Sequence, residues 1–186
     1  MLILKDFSTS PESPCAIALG AFDGVHAGHR AVIEAAVRAA REEGLIPAVF
    51  TFSELPKNAL SGSTSVFPLC SFEEKAELIS LLGVELMWAP PASRELLSTP
   101  AEDFVREILV KRLRAEHVVC GEDHRFGHGG RGNAGLLRSI LAEYGVRLTI
   151  VPPVEINGER VSSTRIRKLL CEGRIDDARE LLGRSV

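Results

Sequence analysis

Apolar and polar positions alternate along this chain in two rhythms. Short, nearly unbroken apolar runs occupy residues 15–21, 46–52, 84–89, 117–121 and 146–151. Runs of this kind mark strands buried on both faces. Between them the spacing changes to three and four. Residues 31–43 place Val32, Ala35, Ala36, Ala39 and Ala40 on one helical face, and Gly44 supplies the stop. Ser71-Phe72-Glu73-Glu74 reads as a capping box opening a helix to Leu82. Thr99-Pro100-Ala101-Glu102 reads as a second, opening a helix to about Arg114, with proline at the first helical position. Asn133 caps a helix ending at Tyr144, and two short helices follow over 162–171 and 175–182. Residues 53–70 read as irregular, with Pro56, Gly62 and Pro68 as breakers, and the serine-rich steps at 61–65 predict a mobile loop. Ile156-Asn157-Gly158-Glu159 signals a tight turn.

Strand and helix alternating five times predict a Rossmann-like α/β fold, a doubly wound parallel five-stranded sheet with helices on both faces. Residues 1–186 are expected to form one domain, with 162–186 as its C-terminal helical segment. In such sheets ligands bind beyond the carboxyl ends of the strands, where the strand order switches. The loop over residues 20–29 follows the first of the five strands and that over 121–131 follows the fourth, so both are expected on one crevice.

Composition narrows the classes. A chain of 186 residues, 45% hydrophobic and 25% charged, is ordinary for a globular protein and long enough to bury a core unaided. A net charge of −3 offers no basic field to recruit nucleic acid. No apolar run approaches the roughly 18 residues that span a bilayer, so no membrane partner is expected. The N-terminus lacks the pattern of a secretory signal. Cys15, Cys70, Cys120 and Cys171 are too scattered for a zinc site or a disulfide framework, which points to the reducing cytoplasm.

The chemistry concentrates in two motifs. Gly20-Ala21-Phe22-Asp23-Gly24-Val25-His26-Ala27-Gly28-His29 joins a strand to a helix. A helix start offers unpaired N–H groups and partial positive charge, hence a phosphate site, to which His26 and His29 add directed donors. Arg160-Val161-Ser162-Ser163-Thr164-Arg165-Ile166-Arg167 is the second. Ser162 or Ser163 can cap a helix there. Cations at a helix start oppose its dipole at roughly 0.3–1 kcal/mol each, so the arginines imply a bound polyanion. Gly127-His128-Gly129-Gly130-Arg131-Gly132 matches a dinucleotide fingerprint but follows no strand directly and has no acidic residue about twenty positions on, so it reads as a flexible loop over the crevice. His117, His124 and His128 read as chance neighbours, Trp88 and Tyr144 as core or semi-core, and Arg38-Arg41-Glu42-Glu43 as a solvated face.

The first motif resembles the signature of the prokaryotic FAD synthetase family. The likeness continues through Glu102-Asp103-Phe104-Val105, His117-Val118-Val119, Gly121-x-Asp123-x-Arg125-Phe126-Gly127, Pro152-Pro153-Val154, the stretch from Asn157 to Arg167, and Leu181-Leu182-Gly183-Arg184. It implies an HxGH-type nucleotidyltransferase that moves AMP from ATP, with Mg²⁺, to FMN, giving FAD and pyrophosphate. Around ATP it implies Gly20, Phe22, Asp23, Gly24, His26, Gly28, His29, Gly121, Asp123, Arg160, Ser162, Ser163, Thr164 and Arg167, with His26, His29 and Arg167 catalytic. Thr51, Phe52, Pro56 and Arg125 are expected at the acceptor, and no metal held by protein ligands alone. Both imidazoles are expected to protonate more readily once ATP binds.

The resemblance has departures. The family's Thr-Phe-x-Pro-His-Pro is Thr51-Phe52-Ser53-Glu54-Leu55-Pro56 here, its aromatic flavin loop is Pro90-Pro91-Ala92-Ser93-Arg94-Glu95, and the phenylalanine of Gly-x-Asp-Phe is His124. The usual riboflavin kinase module has no counterpart in these residues, so a separate kinase is expected to supply FMN. Two other readings stay open: a same-superfamily nucleotidyltransferase with another phosphorylated acceptor, and a non-catalytic ATP- or flavin-binding module.

Overall fold

Six parallel strands form the sheet: β1 (Leu2–Leu4), β2 (Cys15–Leu19), β3 (Ile46–Phe50), β4 (Leu86–Trp88), β5 (Ala115–Gly121) and β6 (Arg147–Val151), in the order β1-β4-β3-β2-β5-β6. The architecture is that of a computed structural model, which describes residues 1–61 and 66–184. β1 is a correction to the five strands expected. Its three residues are too few to show a period, and only pairing with β4, Leu4 opposite Trp88, makes them a strand.

Alternation along β2 sorts its side chains to two layers. Ile17 and Leu19 join a core with Phe104, Val105, Leu109, Leu137 and Leu141. Ala18 turns to the other face, against Val32, Ile33, Ala36, Val37 and Ile79. The first layer is covered by α5 (Ala101–Asp103), a π-helical continuation (Phe104–Arg112) and α6 (Ala134–Glu143). The second is covered by α1 (Ala27–Glu43) and α3 (Phe72–Leu81). Ala16 meets Ala39 and Ala40, so α1 lies close to the central strand.

Other elements adjust the expectations. α2 (Pro56–Ser61) and α4 (Arg94–Leu97) form where no helix was read, the latter capped by Ser93 Oγ accepting the Leu96 N–H at 3.2 Å. The serine-rich steps beyond Ser61 lie outside the described residues. Thr99 does not cap: its hydroxyl donates to Glu95 O at 3.4 Å, and Pro100 occupies the cap position without a side-chain bond. Trp88 is fully buried, whereas Tyr144 is 42% exposed. Glu43 is not on a solvated face: it pairs with His117 Nδ1 at 2.9 Å and Arg147 at 2.7 Å, while His117 Nε2 meets Thr149 Oγ1 at 2.8 Å.

β7 (Glu155–Ile156) and β8 (Glu159–Arg160) form a hairpin whose turn residues Asn157 and Gly158 both have positive φ, 56° and 74°. It leads into α7 (Ser163–Cys171) and α8 (Ile175–Leu182), which share a small core of Ile166, Leu169, Leu181 and Leu182 with Val161. Ala27 and Leu69 pack on that core, which seats the C-terminal helices beside the start of α1. No helix among the described residues is long and apolar enough to cross a membrane.

Candidate active site

Strand order reverses at β2, which pairs with β3 on one side and β5 on the other. The loops leaving the carboxyl ends of β2 and β5 both line a cavity of about 720 Å³. The turn after β2 is strained. Phe22 (φ 49°) and Val25 (φ 42°) both hold left-handed backbone, at roughly 1–2 kcal/mol each. Burial of the Phe22 and Val25 side chains offsets that cost.

His26 caps α1 with its own ring, Nδ1 accepting the His29 N–H at 3.3 Å. A ring that accepts at Nδ1 carries its proton on Nε2, so the neutral imidazole is still a donor. The His26 and His29 rings stack with centroids 3.6 Å apart, and Phe22 sets its edge on His29 at 5.4 Å. Burial pulls His26 down to about 4. His29 is held well below the ordinary histidine value by burial, then by His26 and Lys75. Its Nδ1 is buried without a hydrogen-bond partner among the described residues. Both imidazoles are therefore neutral at pH 7 in the ligand-free protein.

The second motif reaches this turn from the far end of the chain. Ser162 caps α7, its hydroxyl accepting the Arg165 N–H at 3.2 Å. Ser163 Oγ donates to the Asp23 carbonyl at 3.1 Å. Arg167 pairs with the Asp23 carboxylate and donates from Nε to Phe67 O at 2.8 Å. The other Asp23 oxygen accepts the Leu69 N–H at 2.9 Å. Asp23 thus braces α7 and the segment before α3 against the histidine turn.

Lining residues fall into two chemical sets. Of the residues named around a nucleotide, Gly20, Phe22, His26, Gly28, His29, Gly121, Asp123, Arg160, Ser162 and Ser163 are on the wall. Arg160 on β8 and Asp123 after β5 pair at 2.6 Å. Phe52, Pro56 and Arg125 are also on the wall, together with Phe50, Leu96, Leu97, Phe104 and Phe126. Asp23, Gly24, Thr164, Arg167 and Thr51 are not. Thr51 is buried, donating its hydroxyl to Ala21 O at 3.0 Å. Of the Gly-rich run, Gly127, Gly129 and Gly130 form part of the wall rather than a strand-borne fingerprint. Burial pulls His124 down to about 4, and its ring stacks on Phe126 at 5.8 Å. Among the described residues no three His, Cys, Asp or Glu side chains gather as a metal site.

Sequence reasoning passed over Lys57, Leu96, Leu97, Phe104 and Phe126 on the wall, and buried Lys75 behind it. Lys75 had a signal. It follows Phe72 by three and precedes Ile79 by four, which places a charge on the core face of its helix.

A doubly wound parallel sheet with an imidazole pair at its switch point is the fold of the HxGH-type nucleotidyltransferases. Residues 8–165 match the family described as FAD synthetase. The chain belongs to the FAD synthetase family. An FAD synthetase of Listeria monocytogenes is 31% identical over 169 residues, covering 90% of this chain and 68% of that protein. A bifunctional riboflavin kinase/FMN adenylyltransferase of Escherichia coli strain K12 is 31% identical over 180 residues, 97% of this chain but 58% of its own length. The chain thus spans little more than half of that relative. A solved structure from Streptococcus pneumoniae, described as a macrolide-efflux protein, superposes with a TM-score of 0.86 at 30% identity, over 98% of this chain and 61% of that one.

Proposed function

We propose that this chain transfers AMP from ATP to FMN, giving FAD and pyrophosphate. One observation carries the reading: two helix starts, α1 with the His26–His29 pair and α7 with Ser162 and Ser163, meet on a cavity that also has an aromatic and aliphatic wall. Helix starts and neutral donors suit a triphosphate. Phe50, Phe52, Phe104 and Phe126 suit a flat, apolar ring system.

A phosphate oxygen of FMN attacks the α-phosphorus of ATP. The new P–O bond forms as the bond to the β-phosphate oxygen breaks, and pyrophosphate leaves with the electron pair. An ionised phosphate is already a nucleophile, so catalysis is positioning plus charge stabilisation. His26, donating from Nε2, and His29 are assigned to the α- and β-phosphate oxygens. Arg160, Ser162, Ser163 and Thr164 are assigned to the leaving pyrophosphate. Arg167, held by Asp23 before nucleotide arrives, completes that site when the polyanion competes for its guanidinium. Gly20, Phe22, Gly28 and Gly121 shape the nucleotide side, and Phe52, Pro56 and Arg125 the acceptor side.

Mg²⁺ is usually held by one or two carboxylates together with substrate phosphates. Asp123 and Glu122, both on the cavity wall, fit that pattern and would hold it through oxygen. When bound it neutralises phosphate charge. FMN comes from a riboflavin kinase, the other activity in the E. coli relative's name, and the reaction belongs in the cytoplasm.

Incubation with ATP, FMN and Mg²⁺, followed by chromatography, is expected to yield FAD and pyrophosphate in equal amounts. Product from another phosphorylated acceptor and none from FMN would overturn the assignment of FMN.

A further inference from the structure

Behind the histidine turn, α3 buries a cation that makes no ion pair with a carboxylate among the described residues. Lys75 is 6% exposed, and its Nζ donates to Phe52 O at 2.6 Å, and to Ala21 O and Thr51 Oγ1 at 3.5 Å each. Its three N–H donors therefore meet three oxygens. Ala21 immediately precedes the left-handed Phe22, and its carbonyl also takes the Thr51 hydroxyl. Phe52 lies where the chain leaves β3 for the other wall of the cavity.

We propose that Lys75 is a positioning residue for nucleotide binding: its ammonium ties the Ala21 and Phe52 carbonyls together, setting the His26–His29 turn against the opposite wall and keeping one fixed positive charge beneath the phosphate site. This rests on reading the cavity as an ATP site. Burying an ammonium costs several kcal/mol, and a leucine or methionine beside Ala76 and Ile79 would satisfy the packing of α3 on the second core layer without that cost. What only lysine does here is join two loops and hold a charge. The charge matters because the two imidazoles at the site are neutral when no ligand is bound. The titratable groups that face Lys75 are Asp23 and Cys70, whose thiol burial keeps protonated, and those that face His29 are His26 and Lys75. Burial lowers the Lys75 ammonium below its ordinary value, and Asp23 and Cys70 oppose that.

The test uses ATP with Mg²⁺ and no acceptor, with binding measured by calorimetry on the wild type, Lys75→Arg, Lys75→Gln and Lys75→Met. The loss of charged hydrogen bonds in Lys75→Met weakens ATP binding by about tenfold to a hundredfold. Lys75→Gln, which keeps a donor for Phe52 O but no charge, falls between, and Lys75→Arg retains most of the affinity. Titration of the His29 imidazole by NMR gives the second readout. It moves upward in Lys75→Gln and Lys75→Met, because a neighbouring cation is gone, and stays in place in Lys75→Arg, which shows that the charge reaches the imidazole pair. Equal ATP affinities across the variants would overturn the proposal, and an unmoved His29 titration would overturn the fixed charge beneath the site. If Lys75→Met does not fold, Lys75→Gln carries both measurements. A wild type that binds ATP yet makes no FAD counts against FMN as acceptor and leaves the Lys75 test standing. A wild type that does not bind ATP overturns both.

Discussion

His26 and His29 stack face to face, and neither is charged in the ligand-free protein. A buried imidazole kept neutral by the fold makes stability depend on pH. Between the ordinary histidine value of 6.5 and the folded value of about 4 for His26, the unfolded chain binds more protons than the folded one. Stability is then complete above pH 6.5 and is lost as pH falls toward 4. His29 and His124 shift in the same direction and add to the slope. We expect the melting temperature to drop between pH 7 and pH 5, and less steeply in His26→Gln, as calorimetry at several pH values would register. ATP brings several negative charges, each worth about 4 kcal/mol at 4 Å with an effective dielectric of 20. Both imidazole titrations should therefore move upward on nucleotide binding, and resonances that stay put would refute this. As phosphate donors, either imidazole should cost roughly 100- to 1,000-fold in turnover when replaced by alanine. Steady-state FAD formation by His26→Ala and His29→Ala checks that loss.

The loop after β5 shows how an element is set by its neighbours. Gly127 has φ 69°, and a Cβ there would approach Ala101 Cα to 2.5 Å, while Gly129 has φ 62° and nothing within 4 Å. Gly127→Ala must pay for left-handed backbone and for displacing α5, so it should destabilise by about 3 kcal/mol or more. Gly129→Ala pays only the first cost, about 1–2 kcal/mol. Denaturant unfolding of the two variants distinguishes them, and equal losses would contradict this account. The glycine run was legible in the sequence as a loop near the crevice, because it stands off its strand by several residues. That one of its glycines lies against α5 was not legible, since the contact joins two stretches distant in sequence. Helices with strong caps and long apolar faces, α1, α3 and α6, could be read directly. α2 and α4, six and four residues long, carry too little periodicity, and packing beside each other decides them.

Asp23 and Arg167 connect parts of the molecule 144 positions apart. Asp23 is buried and Arg167 nearly so, and breaking such a pair leaves a charge without compensation, typically 3–5 kcal/mol. Asp23→Asn should loosen α7 and α8 from the rest of the molecule. Hydrogen exchange over residues 163–182 should quicken more than over the sheet. Exchange rising equally everywhere would mean that the pair supports general stability rather than this junction. The opposite end of the sheet, where Glu43, His117, Thr149 and Arg147 bond to one another, should keep its protection in that variant.

The amino-acid order alone determined the alternation of strands and helices, the doubly wound parallel sheet and the two phosphate-type motifs. These follow from local periodicity, capping and glycine placement, which neighbouring residues decide among themselves. Tertiary structure alone decided the sixth strand, the neutral state of the imidazoles, the engagement of Arg167 with Asp23 and the burial of Lys75 behind the cavity. Each of these depends on desolvation or on a partner supplied from a distant segment, and such energies exist only once the chain has closed on itself.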